Sequence, residues 1–77
     1  MEDIPWRIKY TKRKDGYIFS TISSPDKWYG EYETAIRYKG LEWRIAEGYK
    51  TKEEAIKGHK KYSNMTEEEI DNINWIG

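Results

Sequence analysis

The strict alternation between Trp28 and Ile45 constrains this chain more than any other feature. Trp28, Gly30, Tyr32, Thr34, Ile36 and Tyr38 fall on one side of an extended segment, and Tyr29, Glu31, Glu33, Ala35 and Arg37 fall on the other, because successive strand side chains point to opposite faces. After Lys39-Gly40, Leu41, Trp43 and Ile45 alternate with Glu42 and Arg44. A two-residue turn at Lys39-Gly40 sets Tyr38 opposite Leu41, Arg37 opposite Glu42, Ile36 opposite Trp43 and Thr34 opposite Ile45. This register matches apolar with apolar and acid with base, each pair contributing about 0.2–1 kcal/mol. It predicts an antiparallel hairpin.

A second hairpin precedes it. Trp6, Ile8 and Tyr10 alternate with Arg7, Lys9 and Thr11, the period of a half-buried strand. Asp15-Gly16 supplies the positive φ angles of a tight turn. Tyr17 to Ile22 is β-branched and aromatic enough to form the paired strand, with either Tyr17/Phe19/Thr21 or Ile18/Ser20/Ile22 facing inward. Ser23 to Lys27 contains Pro25, which cannot donate to a ladder, and is expected to be a loop. Gly48 ends or bulges the last strand. Thr51-Lys52-Glu53-Glu54 then has the form of a capping box and opens a helix over about Lys52 to Tyr62. Its inner face would carry Ala55, Ile56, His59 and Tyr62. Thr66 to Glu69 repeats the capping signature, with Ile70, Ile73 and Ile76 as the stripe of a short final helix and Trp75 beside it.

These elements give one α+β domain over residues 1–77, an antiparallel sheet of three to four strands packed on one helix, with 66–77 as a C-terminal helix or arm. The expected core is Trp6, Ile8, Tyr32, Ile36, Trp43, Ile45, Ala55 and Ile56, with one of Ile18 or Phe19. A chain of 77 residues has room for one small core and no second domain. With four Trp, seven Tyr and one Phe, that core is aromatic.

Composition closes several functional classes. There is no Cys, which removes disulfides, a thiol nucleophile and thiolate-bound metals. No apolar run approaches the roughly 20 residues of a membrane span, and Met1 to Pro5 lacks the basic and apolar regions of a signal peptide. A cytoplasmic setting, inside a bacterial host cell on the resemblance described next, is therefore expected. Lys+Arg 14 against Asp+Glu 14 leaves net charge +0, so no overall field steers the protein to polyanions.

The order Ser20-Thr21-Ile22, then Tyr32-Glu33-Thr34-Ala35, then Tyr49-x-Thr51-x-x-Glu54-Ala55 with Gly58-His59 resembles a group of small proteins of tailed bacteriophages and prophages. Those carry S-T-[IV], [YF]-E-T-[AM] and Y-x-T-x-x-E-A-x-x-G-H in the same order, and the likeness covers about two-thirds of the chain as judged by motif order. Many of them have a longer insertion with a His between the first two motifs. Here Ser23 to Glu31 contains no His, so the group on which a metal or hydrolytic role of that insertion would rest is missing. The resemblance implies a phage setting and no particular activity.

Candidate functional residues are few. His59 with Glu31, Glu33 and Glu53 is the one imaginable metal or acid–base cluster, but a divalent site needs three or four convergent ligands. The plainer reading packs the His59 ring at the helix–sheet interface with one nitrogen hydrogen-bonded, so no metal or cofactor is expected. Glu33 is expected to be a solvated strand glutamate, and with no nucleophile, second carboxylate or phosphate loop the chain is expected not to be an enzyme. Gly58 in mid-helix costs about 1 kcal/mol relative to Ala and implies either close packing or a partner at Gly58-His59.

Two binding surfaces are open. Tyr29, Glu31, Arg37 and Arg44, on the sheet face opposite the helix, with Gly58 and His59, are candidates for contact with another protein. Arg7, Lys9, Lys12, Arg13 and Lys14, interleaved with Trp6, Tyr10 and Tyr17, are candidates for nucleic acid. The latter layout is similar to the sheet-type arm-binding domains of phage integrases. Protein binding is the preferred expectation, with the chain itself a monomer or weak homodimer.

Overall fold

The computed structural model describes residues Trp6 to Gly77; Met1 to Pro5, on which the signal-peptide reading rests, lie outside the described residues. Four strands and two helices follow in chain order: β1 (Arg7–Lys12), β2 (Tyr17–Ser23), β3 (Tyr32–Tyr38), β4 (Arg44–Tyr49), α1 (Lys52–Ser63) and α2 (Glu67–Asp71). The strands form one antiparallel sheet in the order β1-β2-β3-β4. The expected α+β class is observed, with four strands.

Each turn is set by local chemistry. Between β1 and β2, the Gly16 amide donates to the Arg13 carbonyl at 3.2 Å, and Gly16 has φ 102°, a conformation that L side chains rarely adopt. Both capping boxes form. The Glu54 amide donates to Thr51 Oγ1 at 3.2 Å while Thr51 N donates back to Glu54 Oε1 at 3.2 Å. Thr66 and Glu69 repeat the exchange at α2.

The helices cover one sheet face. Phe19, at the centre of β2, is fully buried, and Tyr17, Ile36, Ala46, Tyr62 and Ile70 cluster with it. This settles the inward set of β2 as Tyr17/Phe19/Thr21. Tyr38, Met65, Ile73 and Trp75 pack around the cluster, so the segment after α1 docks on the sheet. The final residues run beside β4, with Ile76 N donating to the Ile45 carbonyl at 2.9 Å and Ile45 N to the Gly77 carbonyl at 3.0 Å. That pairing occupies the β4 edge at Ile45, where an open edge would offer a template to another strand.

The β3–β4 register departs from the sequence expectation. Leu41 N does donate to the Tyr38 carbonyl at 3.0 Å across Lys39-Gly40. The ladder then slips, setting Ile36 opposite Arg44 and Ala35 opposite Ile45, and slips again to set Thr34 opposite Glu47. Two extra residues are taken up on the β4 side, and each slip exchanges faces. Trp43 and Ile45 therefore lie away from the helices, and the small Ala46 joins the cluster with Tyr62. Arg44, expected on the open face, turns to the helix side, where its guanidinium lies 4.5 Å from the Trp75 ring. The expected core is corrected accordingly. Ile36, Ala55 and Phe19 are buried, whereas Trp6, Trp43 and Ile56 are exposed and Ile8, Tyr32 and Ile45 only half-buried.

Candidate functional site

Two polar constellations stand out, one beneath α1 and one on the open face. Beneath α1, His59 is 5% exposed and bonded at both ring nitrogens, to Thr11 Oγ1 at 2.8 Å through Nε2 and to Thr21 Oγ1 at 2.8 Å through Nδ1. Thr21 continues to Thr34 Oγ1 at 2.6 Å, and Thr34 to the Tyr49 hydroxyl at 3.0 Å. The chain closes in either proton direction, from Tyr49 through Thr34 and Thr21 to Nδ1 with Nε2–H donating to Thr11, or from Thr11 to Nε2 with Nδ1–H donating through Thr21 and Thr34 to the Tyr49 oxygen. Burial, with Lys9 nearby, lowers the His59 pKa below its ordinary value, so the neutral ring is favoured. Burial likewise pushes the Tyr49 hydroxyl up to about 12, against a smaller opposing effect of its Thr34 bond.

Gly58 packs beside this network. A Cβ there would sit 2.0 Å from the Tyr49 hydroxyl, which the Thr34 bond holds in place. Gly58 and His59 thus face the sheet, and neither is presented to a partner. Gly58→Ala should therefore lower stability by about 1–3 kcal/mol through overpacking, although Ala is the better helix former by about 1 kcal/mol. Urea unfolding of the two proteins measures the sign directly.

The remaining sequence candidates scatter. Tyr29 and Glu31 lie in the β2–β3 loop, where Tyr29 runs along β4 and Glu31 pairs with Lys27. Arg13 is tied down by Asp15 and by the carbonyls of Ser63 and Met65. Lys9 shares the helix side with Thr21, while Arg7 and Lys12, opposite Ile22 and Ile18, share the open side; Lys14 is exposed in the turn. The basic run therefore does not form one patch.

The open face gathers residues that the sequence reading assigned elsewhere. Trp6, Tyr10 and Trp43 are exposed there at 50%, 44% and 42%. Arg7 lies 4.3 Å from the Tyr10 ring and Arg37 5.3 Å from the Trp43 ring. Each guanidinium has a buried Nε with no acceptor among the described residues. Glu33, expected in water, is only 8% exposed, set between Ile22 and Gly48 on neighbouring strands. Two irregularities assemble this surface, the slips in β4 that turn Trp43 outward and the shift between Arg7 and Lys9 in β1, which leaves Arg7 and Tyr10 on the open side and Lys9 and Thr11 on the helix side. Among the described residues, no group of His, Asp and Glu is placed to hold a metal ion, and no helix is long and apolar enough to cross a membrane.

Comparison with family models, with curated proteins and with solved structures finds no match to this chain.

Proposed function

We propose that this chain is a small, non-enzymatic phage or prophage accessory protein that acts by binding another protein, of the host or of the phage, through the open sheet face. One observation carries the reading. Three exposed aromatic side chains and two arginines share the face that no helix covers. Aromatic and Arg side chains are enriched in the centres of protein interfaces, and Trp6 and Trp43 line one cleft of this face. The phage setting rests on the motif order Ser20-Thr21-Ile22, Tyr32-Glu33-Thr34-Ala35 and Gly58-His59. Affinity capture from bacterial lysate with the natural chain, Trp43→Ala and Lys57→Ala tests it. A partner lost with Trp43→Ala and kept with Lys57→Ala, a change on the exposed helix surface, is the expected result. Recovery that ignores both substitutions, or no specific recovery, counts against the face.

Nucleic acid is the second reading, favoured by the guanidinium–ring pairs and by Lys12 beside them. Base stacking on a sheet uses such groups. Against it stand the buried Glu33, the engaged Arg13 and a net charge of +0. Titration with duplex and single-stranded oligonucleotides at low salt, where phosphate attraction is strongest, decides it, and absence of binding there removes this reading.

A further inference from the structure

We propose that the cleft between Trp6 and Trp43 on the open face receives a basic side chain, lysine or arginine, of the protein partner, with Glu33 as its counter-ion. The inference rests on the reading of this face as a protein-binding surface and adds the chemistry that is recognised.

Glu33 lines a cleft of about 420 Å³ together with Trp6, Arg7, Ile22, Trp43 and Ile45. That volume is of the order of the roughly 300–1,000 Å³ of small-molecule clefts and leaves room for one long side chain with part of its main chain. The glutamate is 8% exposed, the ion pairs among the described residues do not include it, and its oxygens keep a path to solvent. A carboxylate this little exposed meets water only at the mouth of the cleft, and a cation seated beside it would be attracted with less screening than at an open surface. The arginines on the same face do not supply that cation. Arg37 lies against Trp43 and Arg7 against Tyr10, and the ion pairs of the described residues include neither.

The walls specify what kind of cation fits. Two indoles and two isoleucines offer apolar surface for a methylene stem, and an indole face attracts the charged head. A small hydrated metal ion would gain nothing from those walls. Arg7 and Glu33 both line the cleft, but the Arg7 guanidinium is stacked 4.3 Å from the Tyr10 ring, which leaves Glu33 as the charge without a ring or ion partner. Arg7 adds a second requirement, because its buried Nε lacks an acceptor among the described residues. A peptide brings a main-chain carbonyl close to its basic side chain, so one residue of a partner chain can meet both needs. A free amine would meet only one.

The test uses blocked single amino acids with the full chain. N-acetyl-lysine N-methylamide and N-acetyl-arginine N-methylamide are titrated while the indole N–H signals of Trp6 and Trp43 and the Glu33 amide are followed by NMR. N-acetyl-norleucine N-methylamide, of similar shape and without charge, is the control. Saturable shifts at these three residues are expected for the basic probes, with norleucine at least about tenfold weaker, and Glu33→Gln should remove that difference. The spectrum of Glu33→Gln reports whether it folds. If it does not, Trp43→Leu keeps the apolar wall and should weaken the basic probes more than norleucine. Equal binding of lysine and norleucine probes, or unchanged lysine binding in Glu33→Gln, overturns the proposal. So do shifts of the same signals by a single-stranded oligonucleotide with no response to the basic probes. A captured partner lost with Trp43→Ala but retained by Glu33→Gln would sink the cation site alone; one retained by both would sink the face as well.

Discussion

Replacing His59 with Ala should lower the stability of this protein by about 3–5 kcal/mol, combining the cavity left by a buried ring with two hydroxyls deprived of a partner. Domains of this size are stable by about 4–12 kcal/mol in all, so the variant should be largely unfolded at modest denaturant concentration. Thr21 is fully buried and keeps its Thr34 bond, whereas half-buried Thr11 can turn to water. His59 also gives the natural protein a pH dependence of known sign. The unfolded imidazole takes up a proton near 6.5, but in the folded protein burial, aided by Lys9, delays protonation to lower pH. Between those two values the unfolded state binds more protons, so stability rises with pH through the window. It should be level above about 6.5 and decline as the medium is acidified below it. His59→Phe should lose that slope while keeping more of the packing than Ala. Asp15, whose pKa is held down by its Arg13 hydrogen bond, contributes a decline of the same sign only at and below about 3.8. Thermal unfolding at pH 5, 6 and 8 therefore isolates the histidine. A flat profile across those values, or equal slopes in natural protein and His59→Phe, would contradict the buried network.

Gly48→Ala should be comparably damaging, at about 3 kcal/mol, the upper part of the range for overpacked sites. A Cβ at Gly48 would lie 1.6 Å from the Tyr29 carbonyl oxygen and 2.6 Å from its carbon. The obstacle is main chain and cannot be relieved by a rotamer change. On the other side of the contact, Gly30 with φ 130° would place a Cβ 2.6 Å from the Tyr49 carbonyl oxygen, so the loop and β4 meet through two glycines. The relief open to Gly48→Ala is a shift of the loop off β4, which would separate the Tyr29 main chain from Gly48. Two measurements should move together. Denaturant unfolding should show the loss of stability, and trypsin should cut after Lys27 faster than in the natural protein. Unchanged cleavage with full stability would mean that the loop does not sit on β4.

Secondary structure and element order follow from the sequence because their causes are local. Thr51 with Glu54 and Thr66 with Glu69 announce two helix starts, since each orphan amide needs an acceptor three residues away in the chain. Asp15-Gly16 and the alternation in Tyr32–Tyr38 are equally short-range. The helix-facing set of β3 was legible too, with Thr34 and Ile36 inward as the period of two requires. Gly58 was recognised as needing a reason, though nothing local could supply one. Its reason is the Tyr49 hydroxyl, nine residues back in sequence and on another element.

What only the tertiary structure decided is the register of β4 and everything that depends on it. A ladder with no extra residues matched apolar and charged pairs along the whole hairpin, and pairwise cross-strand energies of about 0.2–1 kcal/mol favoured it. The folded chain takes up two extra residues instead, placing Ala46 in the Phe19 cluster and Arg44 against Trp75. Those contacts are made with α1 and with residues after α2, which no hairpin-level pattern contains. The slips send Trp43 and Ile45 to the open face beside Glu33. The sequence thus determined which segments are strands and helices, whose causes lie within a few residues. Burial of one large surface against another determined which side chains the sheet turns outward, and with them the candidate site.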